Sequence, residues 1–241
     1  MLGKMSDISE VGLYEQAERI LNVPLGFITA LGTVMMPRMS NLVHKGKNDD
    51  IKNYIEKSIE FISFLTLPII FGLISTADDF IPLFLGKDFS KAAVILKFLS
   101  TTLVFVSFAN VLRTQFLIPT NKDKEYTLSV ILGAVVNFTA NLLLIPKWNS
   151  IGACIGTILA ESTVCIYQSY ALRKNLPIFK YIADSIPFLI KAIGMFILVS
   201  LVSYANVNVY IKILMQVFTG IFAYFILNIR YINKILKIRK K

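Results

Sequence analysis

Charged residues and histidine are scarce in this sequence, and their scarcity excludes several classes of protein. Asp, Glu, Lys and Arg make up only 17% of the 241 residues, a proportion that does not suit a soluble domain. His44 is the only histidine, so no Ser-His-acid set forms within the apolar segments, and no cluster of His, Cys and acidic residues has metal-ligand spacing. No glycine-rich phosphate-binding loop occurs either. We predict no enzyme chemistry: no catalytic residue, no metal and no cofactor.

Cysteine is also rare, and the two thiols are too far apart to pair with each other. Cys154 and Cys165 lie on one predicted helix, and their spacing corresponds to roughly 16 Å at the rise of an α-helix. The first residues lack the basic head and apolar core of a signal peptide. Ten-residue segments of alternating polarity, which a membrane β-barrel needs, are absent as well. These absences favour a helical protein without disulfides.

Long apolar runs dominate what is present. Hydrophobic residues make up 55% of the chain, and the mean hydropathy is +0.65. Each run is about twenty residues long, the length that crosses a bilayer as an α-helix. The sequence therefore predicts an all-α polytopic membrane protein with about seven transmembrane helices. We place them at 11–38, 57–77, 92–118, 127–146, 151–173, 185–205 and 209–229.

Lys and Arg gather on one side of these predicted spans. They follow the first, third, fifth and seventh spans, whereas the opposite connections contain only Lys87, Lys91 and Lys147. Basic connections stay in the cytoplasm, so we predict an external N-terminus, a cytoplasmic C-terminus and a basic cytoplasmic tail at 230–241. The same placement accounts for the net charge of +10 without a nucleic-acid partner. We expect a multi-pass protein of the bacterial cytoplasmic membrane, in contact with membrane lipids.

The first span has a polar stripe at helical spacing. Steps of three or four residues align these positions on one face of a helix, and such a face usually turns from lipid towards a cavity or another helix. Arg19 adds an i, i+4 pair with Glu15, and this spacing is compatible with an interfacial ion pair that ends the span. Pro24 should kink this helix. The stripe comprises Glu15, Glu18, Asn22, Gly26, Thr29 and Thr33.

Arg113 and Glu161 are two of the other charged residues that fall inside predicted spans. Arg113 lies near the cytoplasmic end of the third span, where a long cationic side chain is able to snorkel to the headgroups. Glu161 lies near the middle of the fifth span, on a stripe with Thr157 and Gln168, so it should face protein or water. Its carboxyl group is either a site of ion coupling or a structural hydrogen-bonding group.

Other segments predict packing and anchoring. The short connection PKWNS (146–150) makes the fourth and fifth spans an antiparallel hairpin, and Gly152 and Gly156 suit close contact between its helices. Apolar residues at helical spacing over 44–60 indicate an amphipathic helix on the cytoplasmic membrane surface before the second span.

Four segments in series resemble the C-terminal half of Wzx-type polysaccharide flippases of the MOP superfamily. They are MLGKMSDISEVGLYEQAERI (1–20), VMMPRMS (34–40), FIPLFLGKDFSKAAVIL (80–96) and VVNFTANLLLIPKWNSIGACIGTILAES (135–162). This resemblance implies one lobe of the fold at 11–173, two accessory helices at 185–229, and an N-terminal lobe that is absent from this chain. It also implies a single transmembrane domain over 1–241.

The resemblance further implies a function. Such flippases move undecaprenyl-pyrophosphate-linked oligosaccharide units across the cytoplasmic membrane by alternating access, for capsule, O-antigen or teichoic-type polysaccharide. A polyprenyl-diphosphate-linked oligosaccharide, the missing lobe and other assembly proteins would then be partners. The expected substrate path comprises Glu15, Glu18, Arg19, Asn22 and Arg113, with Glu161 as the coupling or structural carboxyl group.

Three alternatives stay open at this point. The chain is compatible with a truncated remnant that inserts but does not transport, or with a small-molecule exporter of the same superfamily, because a fold does not determine a function. The third alternative is a membrane-embedded glycan polymerase. The connection at 78–91 is short for the large external loop that such an enzyme uses, which counts against it.

Overall fold

The computed structural model describes the backbone of residues 1–238 and the side chains up to residue 233, and the described part is helical with no β-strand. The predicted tail at 230–241 therefore lies partly outside the described residues. Nine α-helices, numbered α1 to α9 in chain order, make up this part of the structure. They are Leu2–Met5, Ile8–His44, Asn48–Leu85, Ser90–Ser100, Thr102–Leu112, Asp123–Leu172, Ile178–Val202, Val209–Leu227 and Ile229–Ile238.

The 50-residue helix α6 is two antiparallel helices joined by a sharp turn. Asn149 leaves the helical region, with φ 50° and ψ −127°, and Asn tolerates positive φ better than most residues. Near the far ends of the two helices, Gln168 Nε2 donates to Ser129 Oγ at 3.0 Å. This contact confirms the predicted hairpin. We call 123–148 the first arm and 150–172 the second arm.

Close backbone approach holds the two arms together. A Cβ atom on Gly152 would lie 2.4 Å from the backbone oxygen of Leu144, and one on Gly156 would lie 2.2 Å from Asn141 Oδ1. Only glycine fits at such distances, as the predicted packing role requires. Six helical segments of the described residues are long and apolar enough to cross a membrane. Because α6 folds back on itself, it accounts for two of the seven predicted spans.

The third predicted span, 92–118, is continuous but irregular. It consists of α4, α5 and a π-helical turn at Arg113–Leu117, where Ile118 N donates to Arg113 O at 3.0 Å. A π-helical turn inside an α-helix is rare and is frequent at functional sites. The turn contacts both α2 and α6.

Helix α3 corrects the prediction of a separate surface helix at 44–60. It runs without a break from Asn48 to Leu85, about 57 Å at 1.5 Å per residue. The apolar residues Ile51, Ile55 and Ile59 are buried in the main core of the protein. The amphipathic pattern is therefore real, but its apolar face packs on neighbouring helices instead of lying on the membrane.

Helices α7 and α8 pack against α3. Ser63 and Ser185 share a hydrogen bond of 2.9 Å between α3 and α7, and Lys212 of α8 forms a 3.1 Å ion pair with Asp79 of α3. A second apolar cluster joins the three helices. It contains Leu67, Phe188, Ala192, Met195, Val199 and Tyr224.

The two ends of the bundle differ in charge. We call the end that contains Arg38, Lys52, Lys122 and Arg173 the basic end, and the other the Glu10 end. At the basic end, Lys180 Nζ lies 2.9 Å from both carboxylate oxygens of Glu56. The basic end is the side that the sequence predicts to be cytoplasmic.

Candidate functional site

A polar cavity of about 430 Å³ lies between α2, α5 with its π-helical turn, and both arms of α6. Each element contributes polar side chains, so the cavity differs from the apolar surfaces elsewhere in the bundle. In a bundle that spans a membrane, polar side chains usually line a space that holds water or a ligand, because lipid offers them no hydrogen-bond partner. The polar lining residues are Thr29, Asn110, Arg113, Tyr126, Asn137, Thr157, Glu161 and Gln168.

Among the described residues that line this cavity, Arg113 is the only Lys or Arg. Its Nη2 donates to Asn110 Oδ1 at 2.7 Å, and its guanidinium lies 5.9 Å from the ring centroid of Tyr126. Asn110 precedes Arg113 by one turn, so the hydrogen bond directs the guanidinium away from the basic end. Arg113 thus faces the cavity, and it does not extend towards the headgroups as snorkelling would require.

Several polar atoms around the cavity are buried without a protein partner. They include Arg113 Nε, Asn110 Nδ2 and Gln168 Oε1. Native proteins rarely leave such atoms unpaired, since each one costs about 1 to 3 kcal/mol. Around this cavity the protein therefore leaves several polar atoms without a hydrogen-bond partner of its own.

Glu161 lies on the second arm and faces the same cavity as Arg113. It is half-buried, and among the described residues no cation lies within ion-pair distance of its carboxylate. The structure thus brings together two charged residues that the sequence placed on different spans. They share one cavity without neutralising each other.

The predicted stripe on α2 lies mostly outside this cavity. Glu15, Glu18, Arg19 and Asn22 are exposed, and no ion pair joins Glu15 to Arg19. The face of α2 that packs on the bundle is a different one, which contains Ala17, Leu21, Ile28, Gly32 and Met39.

Thr29 connects the stripe to the cavity. It belongs to the polar face of α2 and also lines the cavity opposite Thr157 and Glu161. Arg19 lies ten residues earlier on α2, about 15 Å closer to the Glu10 end. The exposed stripe therefore leads along α2 to the edge of the cavity.

Gly32 brings α2 close to the cavity wall, and sequence reasoning did not identify it. A Cβ on Gly32 would lie 2.6 Å from Asn110 Nδ2 and 2.8 Å from Thr114 Oγ1. The Asn110 amide that holds Arg113 is therefore confined by the backbone of α2. Gly32 lies on the buried face of α2, one residue away from the polar stripe. This position beside the stripe is the only signal in the sequence that could have pointed to it.

Glu10 is the second residue that sequence reasoning missed. Its carboxylate is buried, lies 2.5 Å from Lys91 Nζ, and accepts from the backbone N–H and the hydroxyl of Ser150 at 3.2 and 2.5 Å. The three residues join the start of α2, the start of α4 and the turn of α6. No local pattern predicts this contact, because its members are far apart in sequence.

The cavity brings together groups that suit a polar anion. Arg presents a planar fork of donors that fits phosphate oxygens, and amide and hydroxyl groups around it suit sugar hydroxyls. Glu161 adds an acidic group that is able to hold a proton or a small cation.

Comparison with solved structures shows the fold. The chain superimposes with a TM-score of 0.81 on a structure described as Lipid II flippase MurJ, inward closed conformation. The two sequences are 20% identical, and the match covers 94% of this chain and 48% of the other. The all-α membrane fold predicted from the sequence is confirmed.

Curated relatives are named as flippases and transporters. Probable low-salt glycan biosynthesis flippase Agl15 of Haloferax volcanii is 23% identical, over 92% of this chain and 47% of its own length. A putative O-antigen transporter of Escherichia coli is 24% identical, over 73% of this chain and 42% of its own. Lipid II flippase MurJ of Bacillus subtilis is 22% identical, over 66% of this chain and 29% of its own. The chain thus spans about half, or less, of the length of these relatives.

The resemblance to MOP-superfamily flippases is thereby confirmed. Residues 2–228, nearly the whole described part of the chain, match the model of the family described as Lipid II flippase MurJ. The chain therefore belongs to the MurJ family of flippases.

Proposed function

We propose that this chain is one lobe of a flippase that moves a lipid-linked oligosaccharide across the bacterial cytoplasmic membrane by alternating access. The observation that carries the proposal is the polar cavity with Arg113 in its wall and buried donors that lack a protein partner. The family and the names of the relatives support a lipid-linked sugar as the substrate class. The protein transports this substrate and performs no bond chemistry.

Arg113 binds the diphosphate of the substrate in this proposal. Its Nη2 is held by Asn110, while its Nε has no partner in the protein. A guanidinium that is anchored at one edge keeps donors free for phosphate oxygens and needs little reorganisation to bind them. Asn137, Thr157 and Gln168 line the same cavity, and in this proposal their amide and hydroxyl groups bind the sugar hydroxyls.

Glu161 couples transport to a proton or a small cation. A diphosphate next to an unpaired carboxylate is repelled, and the repulsion ends when Glu161 is protonated or binds a cation. Occupancy of the cavity by the anionic substrate is thereby linked to the charge of Glu161. The direction of the coupling follows from which side of the membrane supplies the cation.

The exposed stripe of α2 is the part of the path that a second lobe completes. Glu15, Glu18, Arg19 and Asn22 face outward from the described bundle, and charged groups within a spanning helix usually face protein or water, not lipid. We infer that this face meets the other lobe across the substrate path. Arg19 then contacts sugar or phosphate near the external mouth, with the basic end of the bundle in the cytoplasm.

A transport assay tests the proposal. The gene is expressed in full length from its genomic context in cells depleted of their own flippase, and export of the lipid-linked glycan is measured. Arg113→Gln should lower export by about tenfold or more, the effect of losing a charged hydrogen bond worth about 1.5 to 3 kcal/mol. Arg230→Gln removes the same charge from an exposed position of α9 and should have no effect.

Protein abundance in the membrane is measured for both variants. Normal export by an Arg113→Gln protein of normal abundance would contradict the role of the cavity. Glu161→Gln, scored in the same cells, should also reduce export while the protein accumulates normally.

A further inference from the structure

A second cavity, which we call the apolar groove, lies on the other side of α5 and the second arm. Its volume is about 530 Å³, and its walls come from α3, α5, the second arm of α6 and α7. Apolar side chains dominate the lining, with a few serine hydroxyls between them. Representative lining residues are Leu67, Phe108, Ile166, Ile182 and Leu189.

The groove exists because α7 packs on α3 and α8 and leaves a gap towards the second arm. Side chains on both rims are unusually exposed for apolar residues: Ile166 is 65% exposed, Phe179 is 84% exposed and Ile186 is 48% exposed. A gap of this kind is filled by hydrocarbon in a membrane, since apolar side chains gain from contact with lipid chains.

The basic end of the groove contains a preorganised cation. Arg173 Nη1 donates to the carbonyl oxygen of Tyr170 at 2.6 Å, and the guanidinium lies 3.5 Å from the Tyr170 ring centroid. Both contacts hold the side chain across the mouth of the groove, and Arg173 is otherwise exposed. Its remaining N–H groups are donors of the kind that bind phosphate oxygens.

The groove is separate from the polar cavity. Asn110 and Arg113 face the cavity, whereas Val104 and Phe108 of the same segment face the groove. On the second arm, Glu161 faces the cavity and Ile166 faces the groove. Two helices therefore stand between the groove and the proposed substrate site, so a lipid in the groove is not the tail of a substrate in the cavity.

We propose that the apolar groove holds an acyl chain of an anionic phospholipid, with the lipid phosphate bound to Arg173. The occupant comes from the leaflet at the basic end, where the bilayer carries anionic headgroups. It fills the gap between the second arm and α7 and thereby links the accessory helices to the lobe. This site follows from the membrane setting and does not depend on which substrate the protein carries.

Lipid retention tests the charge preference of the groove. The chain is purified in mild detergent after reconstitution in vesicles of equal phosphatidylglycerol and phosphatidylcholine, and bound lipid is counted by native mass spectrometry. We expect phosphatidylglycerol to be retained in preference, and Arg173→Gln to reduce that preference about fivefold, which corresponds to about 1 kcal/mol for one cation. Arg230→Gln, the same change at an exposed position outside the groove, should leave the preference unchanged.

Thiol reactivity tests where the lipid sits. Cys165 lines the groove, whereas Cys154 is fully buried and serves as the internal control. Removal of lipid should speed maleimide labelling of Cys165, and added phosphatidylglycerol should slow it again. Equal retention of the two phospholipids, or labelling of Cys165 that is insensitive to lipid, would overturn the proposal. Displacement of phosphatidylglycerol by a polyprenyl diphosphate at the same site would also overturn it, because the groove would then belong to the substrate.

Discussion

At the scale of single residues, the arrangement of Arg113 determines what the polar cavity is able to bind. The guanidinium is fixed by Asn110, and Asn110 is confined in turn by the backbone of α2 at Gly32. A side chain that is held in this way loses little conformational entropy when it binds phosphate. The chemistry of the site therefore depends on one cation and on the residues that limit its movement.

Replacement of Arg113 by lysine separates charge from geometry. Lysine keeps the positive charge but lacks the planar fork, and it cannot hold Asn110 and contact a diphosphate in the same way. We expect Arg113→Lys to export glycan about tenfold more slowly than the natural protein, and faster than Arg113→Gln. Equal rates for the lysine and glutamine variants would show that charge at this position does not matter.

Replacement of Glu161 by glutamine distinguishes a role in ion coupling from a purely structural role. Glutamine has nearly the same shape and still forms hydrogen bonds, but it neither ionises nor binds cations. In proteoliposomes, Glu161→Gln should still exchange substrate across the membrane. Its rate of gradient-driven transport should fall by at least about tenfold. Unchanged gradient-driven transport would assign Glu161 a structural role.

At the scale of helices, the fold depends on close contacts between the two arms of α6. Gly152 lies against the Leu144 backbone, which cannot move aside as a flexible side chain does. Gly152→Ala should destabilise the protein by about 2 kcal/mol or more, because the two arms must separate to admit a methyl group. Thermal unfolding in detergent should show a lower midpoint temperature.

Gly26 supplies the matched control for this change. It also lies inside a long helix, but a Cβ there would meet nothing within 4 Å. Gly26→Ala should leave the midpoint unchanged or raise it, since alanine favours the helix by about 0.5 to 1 kcal/mol. A lower midpoint for Gly26→Ala than for Gly152→Ala would contradict the packing that the structure shows.

The contact between Glu10, Lys91 and Ser150 joins three elements at one end of the bundle. Glu10 is buried, whereas the Lys91 side chain is 41% exposed, so solvent screens much of the ion pair. A double-mutant cycle of Glu10→Gln and Lys91→Gln should give a coupling of about 1 kcal/mol in the free energy of unfolding. Strictly additive effects of the two changes would show that the pair is not stabilising.

Helical periodicity predicted the elements better than it predicted their faces. The apolar runs predicted the spans, and the connection PKWNS predicted the hairpin of α6, because each of these features depends on a short segment of the sequence. The prediction of a membrane-surface helix at 44–60 was wrong. Periodicity shows that Ile51, Ile55 and Ile59 share a face of a helix, but it does not show what covers that face. The same limit applies to Arg113, whose direction depends on Asn110 and on α2.

The polar cavity could be predicted only in part, for a related reason. Glu161 and Arg113 stand out in the sequence because charges inside a span are rare, yet nothing local shows that they share a cavity. Glu10 was missed because both of its partners are distant along the chain. Contacts of this kind follow from the packing of whole helices, which a single sequence does not specify.

At the scale of the whole molecule, the exposed stripe of α2 is a polar surface that no other element covers among the described residues. The chain spans about half the length of the relatives and of the solved structure that it matches. We expect a cysteine placed at Asn22 to react readily with a polar maleimide in this chain alone. In a full-length protein, substrate analogues should slow that reaction, because the stripe then lines the substrate path.

The same substitution at Thr139 provides a control, since Thr139 is exposed on the first arm and lies outside the polar cavity. Its labelling should not respond to substrate. If Asn22→Cys labels at the same rate with and without substrate in the full-length protein, the stripe does not line the path.

Equilibrium binding shows whether the cavity around Arg113 binds the diphosphate of a lipid-linked oligosaccharide. The measurement uses radiolabelled polyprenyl-diphosphate oligosaccharide and the full-length protein in detergent, with Arg113→Gln and Arg230→Gln as the matched pair. We expect Arg113→Gln to bind this ligand at least about tenfold more weakly than the natural protein, and Arg230→Gln to bind it with natural affinity. Natural affinity in a folded Arg113→Gln protein would contradict binding at this cavity.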